Sequence, residues 1–236
     1  MQYMMTPLDS HYDRGLGATG EAFMRAAMVV KDHDKNSLFF ETLPQGFLLR
    51  HAIELFLKSG IVIIHRKLKL PFNDQSPTSN PMARLANEWK PFNRVHSIAD
   101  LYAYWKELVV THEQKLIAVS KNKPDMSLAP ELDGWITLIE QTDPDGTYYR
   151  YPAIRNPNED KDKSPFKEKT QESLFPKKPS DKKVFALVVE NEDREFVRAY
   201  SFDDETGKAT LDALLSAGDY LSNFHAMTRF EFTDGW

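Results

Sequence analysis

FLLRHAIELFLKSGIVII, residues Phe47 to Ile64, puts its charged side chains on one line and apolar side chains nearly everywhere else. Arg50, Glu54 and Lys58 recur every four residues, so on a helix they stack as one stripe. Leu48, Leu49, Ala52, Ile53, Leu55, Phe56, Leu57, Ile61 and Val62 cover the remaining surface. A helix apolar on almost every side belongs in a core, and this pattern predicts the central helix of an α-helical bundle. Pro44 suits the first turn, where a missing N–H costs nothing, and the helix is expected to run to about Arg66. Ser59-Gly60 is the place where it would kink or end early.

The chain around this helix has 236 residues, of which 41% are hydrophobic and 12% aromatic, which is the composition of a globular protein able to bury a sizeable core. A net charge of -5 gives no global attraction to polyanions, so nucleic-acid binding needs a local basic patch. There is no cysteine, which excludes disulfides, thiolate metal sites and a cysteine nucleophile and fits a reducing cytoplasm. MQYMMTPLDSHYDRG lacks the basic-then-apolar layout of a signal peptide. The apolar run of the central helix carries three charges that lipid would not tolerate, so no membrane span is expected.

Four further helices are predicted. Thr19 to Lys31 carries Ala22, Phe23, Ala26, Val29 and Val30 at helical spacing. Ser97, with Asp100 three residues later, resembles a capping box opening a helix whose stripe is Ile98, Leu101, Tyr102, Trp105, Leu108 and Val109. Leu128 to Gln141 and about Lys208 to Ala226 supply the others. Pro71 to about Asn93 reads as a surface connection with at most a short helix at Met82 to Trp89, and 154–182 as a mobile polar insertion too poor in aliphatic residues to order itself. KVFALVVEN and REFVRAYSF predict a small β-hairpin before the last helix. The expected architecture is a single domain, all-α, with a helical core over 1–153 and the hairpin and final helix over 183–236.

FLLRHAIELFLKSGI, then HSIADL, then DGTYYRYP, in that order and spacing, resemble the HEPN family, the higher eukaryote and prokaryote nucleotide-binding helical domain. Glu54 and Lys58 match its embedded acid and lysine. His96, Ile98 and Leu101 match its helix start, and Arg150, Tyr151 and Pro152 its Arg-Tyr-Pro segment. The resemblance covers about Gly20 to Pro152 and the last helix. It implies a bundle of four to five helices, often dimeric, in bacterial toxin–antitoxin, anti-phage or other RNA-linked systems. Ribonuclease members carry an arginine followed by a histidine after four to six intervening residues. Here the nearest pair, Arg25 and His33, has seven between, which argues against the usual metal-independent ribonuclease chemistry.

The function expected is therefore binding of RNA, a nucleotide or a protein, as a homodimer or with a cognate partner, through Arg50, Glu54, Lys58, His96, Tyr149, Arg150 and Arg155. The competing expectations are a divergent ribonuclease in which Arg150, His96 or Tyr149 replace the missing motif across a dimer interface, and a purely structural partner-binding module. No cofactor is called for, and no H-x-x-x-H or HExxH pattern suggests a metal. Tyr148, Tyr149, Arg150 and Arg155 combine rings with guanidinium groups, a composition suited to stacking on bases and pairing with phosphates. Glu54, isolated in an apolar helix, is expected to find a bidentate partner in Arg150.

Overall fold

The computed structural model describes residues 2–33, 42–86, 88–152, 160–161, 163–174, 185–203 and 205–235. Its described helices are α1 (Leu16–His33), α2 (Thr42–Leu68), α3 (Ile98–Val119), α4 (Leu132–Thr142), the four-residue α5 (Gln171–Leu174) and α6 (Lys208–Thr233). Its strands are β1 (Met82–Leu85), β2 (Glu88–Pro91), β3 (Phe166–Lys169), β4 (Ala186–Glu190) and β5 (Phe196–Phe202). The chain divides into two compact units, one of residues 1–150 with 210–236 and one of residues 151–209.

In the larger unit α2 is the core helix, buried without interruption from Leu49 to Arg50 and again from Ala52 to His65. It packs against α1 and α3, and α3 packs against α4 and β1. The apolar-all-round pattern produces this burial, and each fully buried leucine or isoleucine contributes about 1.5–3 kcal/mol. Neither Ser59 nor Gly60 interrupts the helix. Gly60 is there because the Trp105 ring of α3 lies against it, and a Cβ would sit 2.6 Å from the indole nitrogen. Trp105 in turn meets Phe224 of α6 edge-on at 4.8 Å between centroids. Three helices thus converge on one indole.

The fold is mixed, not all-α: two antiparallel sheets accompany the helices. The first comes from the segment expected to be a surface connection, where β1 and β2 form a hairpin with Ala83 opposite Lys90 and Arg84 opposite Trp89. No helix forms at Met82 to Trp89. Alternating burial decides this, since Ala83 is fully buried and Trp89 half-buried between exposed neighbours, and four-residue strands are too short to show a period in sequence. The connection is anchored, too. Phe72 is fully buried and stacks on His65 at 4.1 Å, and His65 Nε2 lies 2.7 Å from the Tyr104 hydroxyl.

The second sheet, order β3-β5-β4, lies in the smaller unit. The expected hairpin is β4 with β5, but a third strand joins from within the stretch read as a mobile insertion. Phe166 pairs with Phe202 and Lys169 with Ala199. A two-stranded hairpin is marginal in water, and three strands with the Phe166 and Phe202 rings meeting edge-to-face at 5.4 Å supply what it lacks. FKEK was illegible as a strand because a charged edge strand carries little apolar signal. The remainder of that stretch, 153–159, 162 and 175–184, lies outside the described residues, so its expected mobility does too.

Glycine substitutions separate these packing effects from helix propensity. In an unpacked helix position, glycine to alanine gains about 0.8–1 kcal/mol. Gly134 on α4 has nothing within 4 Å of a new Cβ, so Gly134→Ala should raise the melting temperature. Gly60→Ala must displace an indole that is 1% exposed, and should lose about 1–3 kcal/mol despite the better propensity. Denaturation midpoints moving in opposite directions check both.

Candidate functional site

Arg50, Glu54 and Lys58 do form one stripe, but all three are buried, at 3%, 2% and 5% exposure. Lys58 Nζ donates to Glu54 Oε1 at 2.7 Å and to the Phe92 carbonyl at 2.9 Å. Arg50 Nη1 lies 3.6 Å from Glu54 Oε2, and its Nη2 donates to the His96 carbonyl at 2.9 Å. Its Nε lies 2.8 Å from Asp143 Oδ2, close in distance though poorly aligned for a hydrogen bond. Burial alone would push the Glu54 carboxyl up. The Lys58 ammonium outweighs it, with help from His96, and holds the carboxyl below its usual range.

Glu54 finds its cations in Lys58 and Arg50 and not in the expected Arg150, and Asp143, which was not foreseen, is the second acid on Arg50. It caps the C-terminal end of α4, is 1% exposed, and accepts the Tyr148 N–H through Oδ1 at 2.9 Å. The turn that follows wraps the guanidinium. Gly146 has φ +77°, and a Cβ there would lie 2.9 Å from Arg50 Nη1, so only glycine fits on both counts. The sequence signal was an aspartate and a glycine in TDPDGT just after a helix, which reads equally well as an ordinary turn. Glu140 of α4 is the second acid missed: it accepts the Ala99 N–H at 3.2 Å and the Ser97 hydroxyl at 3.4 Å. Ser97 caps α3 as expected, accepting the Asp100 N–H at 3.0 Å.

The other expected site residues separate. Arg150 is exposed, with its guanidinium 5.8 Å above the Phe47 ring and no described ion pair to Glu54. The expected pair fails because Arg50, one helical turn away, and Asp143 already neutralise each other and crowd the place. Tyr149 is buried, its ring pressed on Gly46, where a Cβ would come within 2.3 Å, so it is a packing residue unsuited to catalysis. Burial also pushes its phenol up. Arg155 lies outside the described residues. His96 alone joins the buried stripe to solvent: its side chain is 48% exposed, and Nδ1 lies 3.1 Å from Glu54 Oε1. Among the described residues Nε2 has no hydrogen-bond partner.

A second polar cluster contains a serine, a histidine and an aspartate, yet it is no catalytic triad. Ser59 Oγ donates to Asp13 Oδ2 at 2.5 Å and lies 3.1 Å from His225 Nδ1, so the hydroxyl sits between the other two. In a triad the imidazole sits between. Asp13 is fixed by the Gly15 and Gly17 N–H groups at the start of α1, and Tyr3 covers His225 Nε2 at 3.3 Å. All of Ser59, Asp13 and His225 are at most 2% exposed. The cluster ties the N-terminal segment to α2 and α6.

No family model, no curated protein and no solved structure matches the chain. Among the described residues no group of three metal-ligating side chains is present, and no helix is long and apolar enough to cross a membrane.

Two predictions follow from these ion pairs and histidines. Arg50→Ala and Asp143→Ala should each cost about 3–5 kcal/mol, and the double variant far less than the total, because each single change removes a buried charge partner of the other residue. Arg150→Ala should cost less than about 1 kcal/mol, as befits an exposed cation–π contact. Urea midpoints decide; independent addition of the first two would disprove the coupling.

Burial lowers His65 and His225 from 6.5 to about 4, with Asp13 opposing and Arg229 and His11 assisting at His225. A histidine lowered on folding favours the native state fully above 6.5, and that contribution disappears as the pH falls toward 4. Each should therefore add a slope of about 1.4 kcal/mol per pH unit in that window. Glu54, also lowered, adds its loss only below its ordinary 4.5. Stability measured against pH should begin falling near 6.5, and His225→Gln should flatten the slope by one histidine's share.

Proposed function

We propose that the chain is a non-catalytic, HEPN-like binding component of a bacterial stress or defence system, recognising RNA, a nucleotide or a protein partner without turning it over. The observation that supports this is the burial of Arg50, Glu54, Lys58 and Asp143 in mutual contacts. A cation already held by a carboxylate is not available to a phosphate, so the stripe braces the fold and leaves recognition to exposed groups such as His96 and Arg150. The missing arginine-to-histidine spacing supports the same reading.

One observation favours a divergent ribonuclease as the second reading. An exposed imidazole whose Nδ1 faces a buried carboxylate is oriented as a general base is, with Nε2 free to accept a proton. Against it, the Glu54 charge is shared with Lys58 and Arg50. The carboxylate is therefore not committed to His96 alone, and Tyr149 is too buried to assist.

Purified protein incubated with single-stranded RNA in EDTA should give no cleavage, while a fluorescent single-stranded oligoribonucleotide, a nucleotide or a pulled-down partner should bind. Turnover that survives EDTA and vanishes in His96→Ala would establish the ribonuclease reading instead.

A further inference from the structure

Two clefts flank the segment Asp125 to Pro130, and none of the stripe residues lines either. One, of about 520 Å³, is lined by Trp135 of α4, by Tyr220, Phe224 and Met227 of α6, and by Asp125 and Asp219. The other, of about 280 Å³, lies between α3 and α4 and includes Val109, Val110, Leu128 and Pro130. Ser127 lines both, so the clefts lie side by side across one short segment. The first lies within the size range of a ligand site.

Their chemistry is one-sided. The first cleft offers aromatic walls and two carboxylates with no basic side chain. The second adds Glu113 and Asp133 against one lysine, Lys106, which is already bound to Asp133 at 2.6 Å. Asp125 is held ionised, below its usual range, by the Ser127 N–H and hydroxyl. Asp219 has a single described contact, Asn223 at 3.3 Å. Both carboxylates are exposed. Val110, 59% exposed, leaves an uncovered apolar surface at the second cleft.

Aromatic faces beside unneutralised carboxylates select an organic cation, and a guanidinium satisfies both, stacking flat on a ring while its edge reaches a carboxylate. A small amine would fill only the first cleft. We propose that the paired clefts bind a basic segment of a partner protein, with an arginine in the Trp135–Tyr220–Phe224 cleft between Asp125 and Asp219, and a neighbouring aliphatic residue against Val109, Val110 and Leu128. This deepens the partner-binding part of the proposed function, and the site is independent of any RNA contact made by His96 or Arg150.

The probe is a fluorescein-labelled peptide of alternating arginine and leucine, titrated by anisotropy against the full chain at 0.15 M salt. An otherwise identical peptide of glutamate and leucine is the charge control, and N-acetyl-arginine methylamide as competitor is the small-cation arm. Asp125→Asn with Asp219→Asn should weaken the arginine peptide at least tenfold, and Trp135→Leu comparably. Asp193→Asn with Glu195→Gln, which removes equal charge elsewhere, should change it less than twofold. Asp219→Lys, on an exposed helix position that tolerates the change, should abolish binding and guards against misfolding of the Asp125 variant. Equal losses in site and control variants would reduce the effect to net charge and overturn the proposal. So would competition by the arginine methylamide at the peptide's own affinity, or no binding at all. Oligoribonucleotide binding measured on the same variants separates the two readings: it is unchanged if only the peptide site fails, and absent throughout if the RNA reading fails.

Discussion

The guanidinium of Arg50 is the point at which three parts of the chain must meet. Arginine keeps its charge when buried, so a fold that places it at 3% exposure has to bring acids and carbonyls to it. Asp143 arrives from the end of α4, Glu54 from the next turn of α2, and the His96 carbonyl from the residue before the α3 cap. The positions of the α3 start and the α4 end are thereby coupled to one side chain. Gly146 follows from this, since a turn closing over a guanidinium has no room for a Cβ.

At the other face of α2 a hydrogen-bond network around the Asp13 carboxylate performs the equivalent task. Ser59, one position from the indole contact of Gly60, joins Asp13 and His225, and Gly17 lets α1 approach the imidazole, where a Cβ would lie 2.0 Å away. A hydrogen bond stabilises little in net terms, somewhat more where one partner is a carboxylate, but a buried partner left unmatched costs about 1–3 kcal/mol. Such a network therefore selects one packing of the N-terminal segment more than it adds stability.

How far the sequence was legible depended on how many residues carried each signal. The α2 pattern spans many residues and a full face, so its helix and its burial followed directly, as did the α3 cap at Ser97. The β1–β2 hairpin and β3 rest on four residues each, too few for alternation to stand out among prolines and lysines. The stripe of Arg50, Glu54 and Lys58 was visible, but its partner was not: nothing in DPDGTYYR distinguishes a buried aspartate from an exposed arginine as the residue that turns inward. Burial of Tyr149 against Gly46 settled the orientation of that segment and left Arg150 outside. The clefts beside Asp125 to Pro130 were invisible for another reason, being assembled from three helices and a loop with no local motif.

The same accounting of charge favours the periphery of the larger unit, and not its most distinctive sequence, for contact with other molecules. Lys58 already meets a carboxylate and a carbonyl, and Arg50 two carboxylates and a carbonyl, so a ligand would have to break contacts made in a low-dielectric interior, where they are strongest. Asp125 and Asp219 face solvent and meet only Ser127 and Asn223 among the contacts of the described residues, so an incoming cation breaks no described ion pair there. His96 stands between these cases, with one ring nitrogen committed to Glu54 and the other without a hydrogen-bond partner among the described residues. A charge pattern conspicuous in sequence can mark where a fold is braced, while the groups left unmatched by the fold are the ones free to recognise something else.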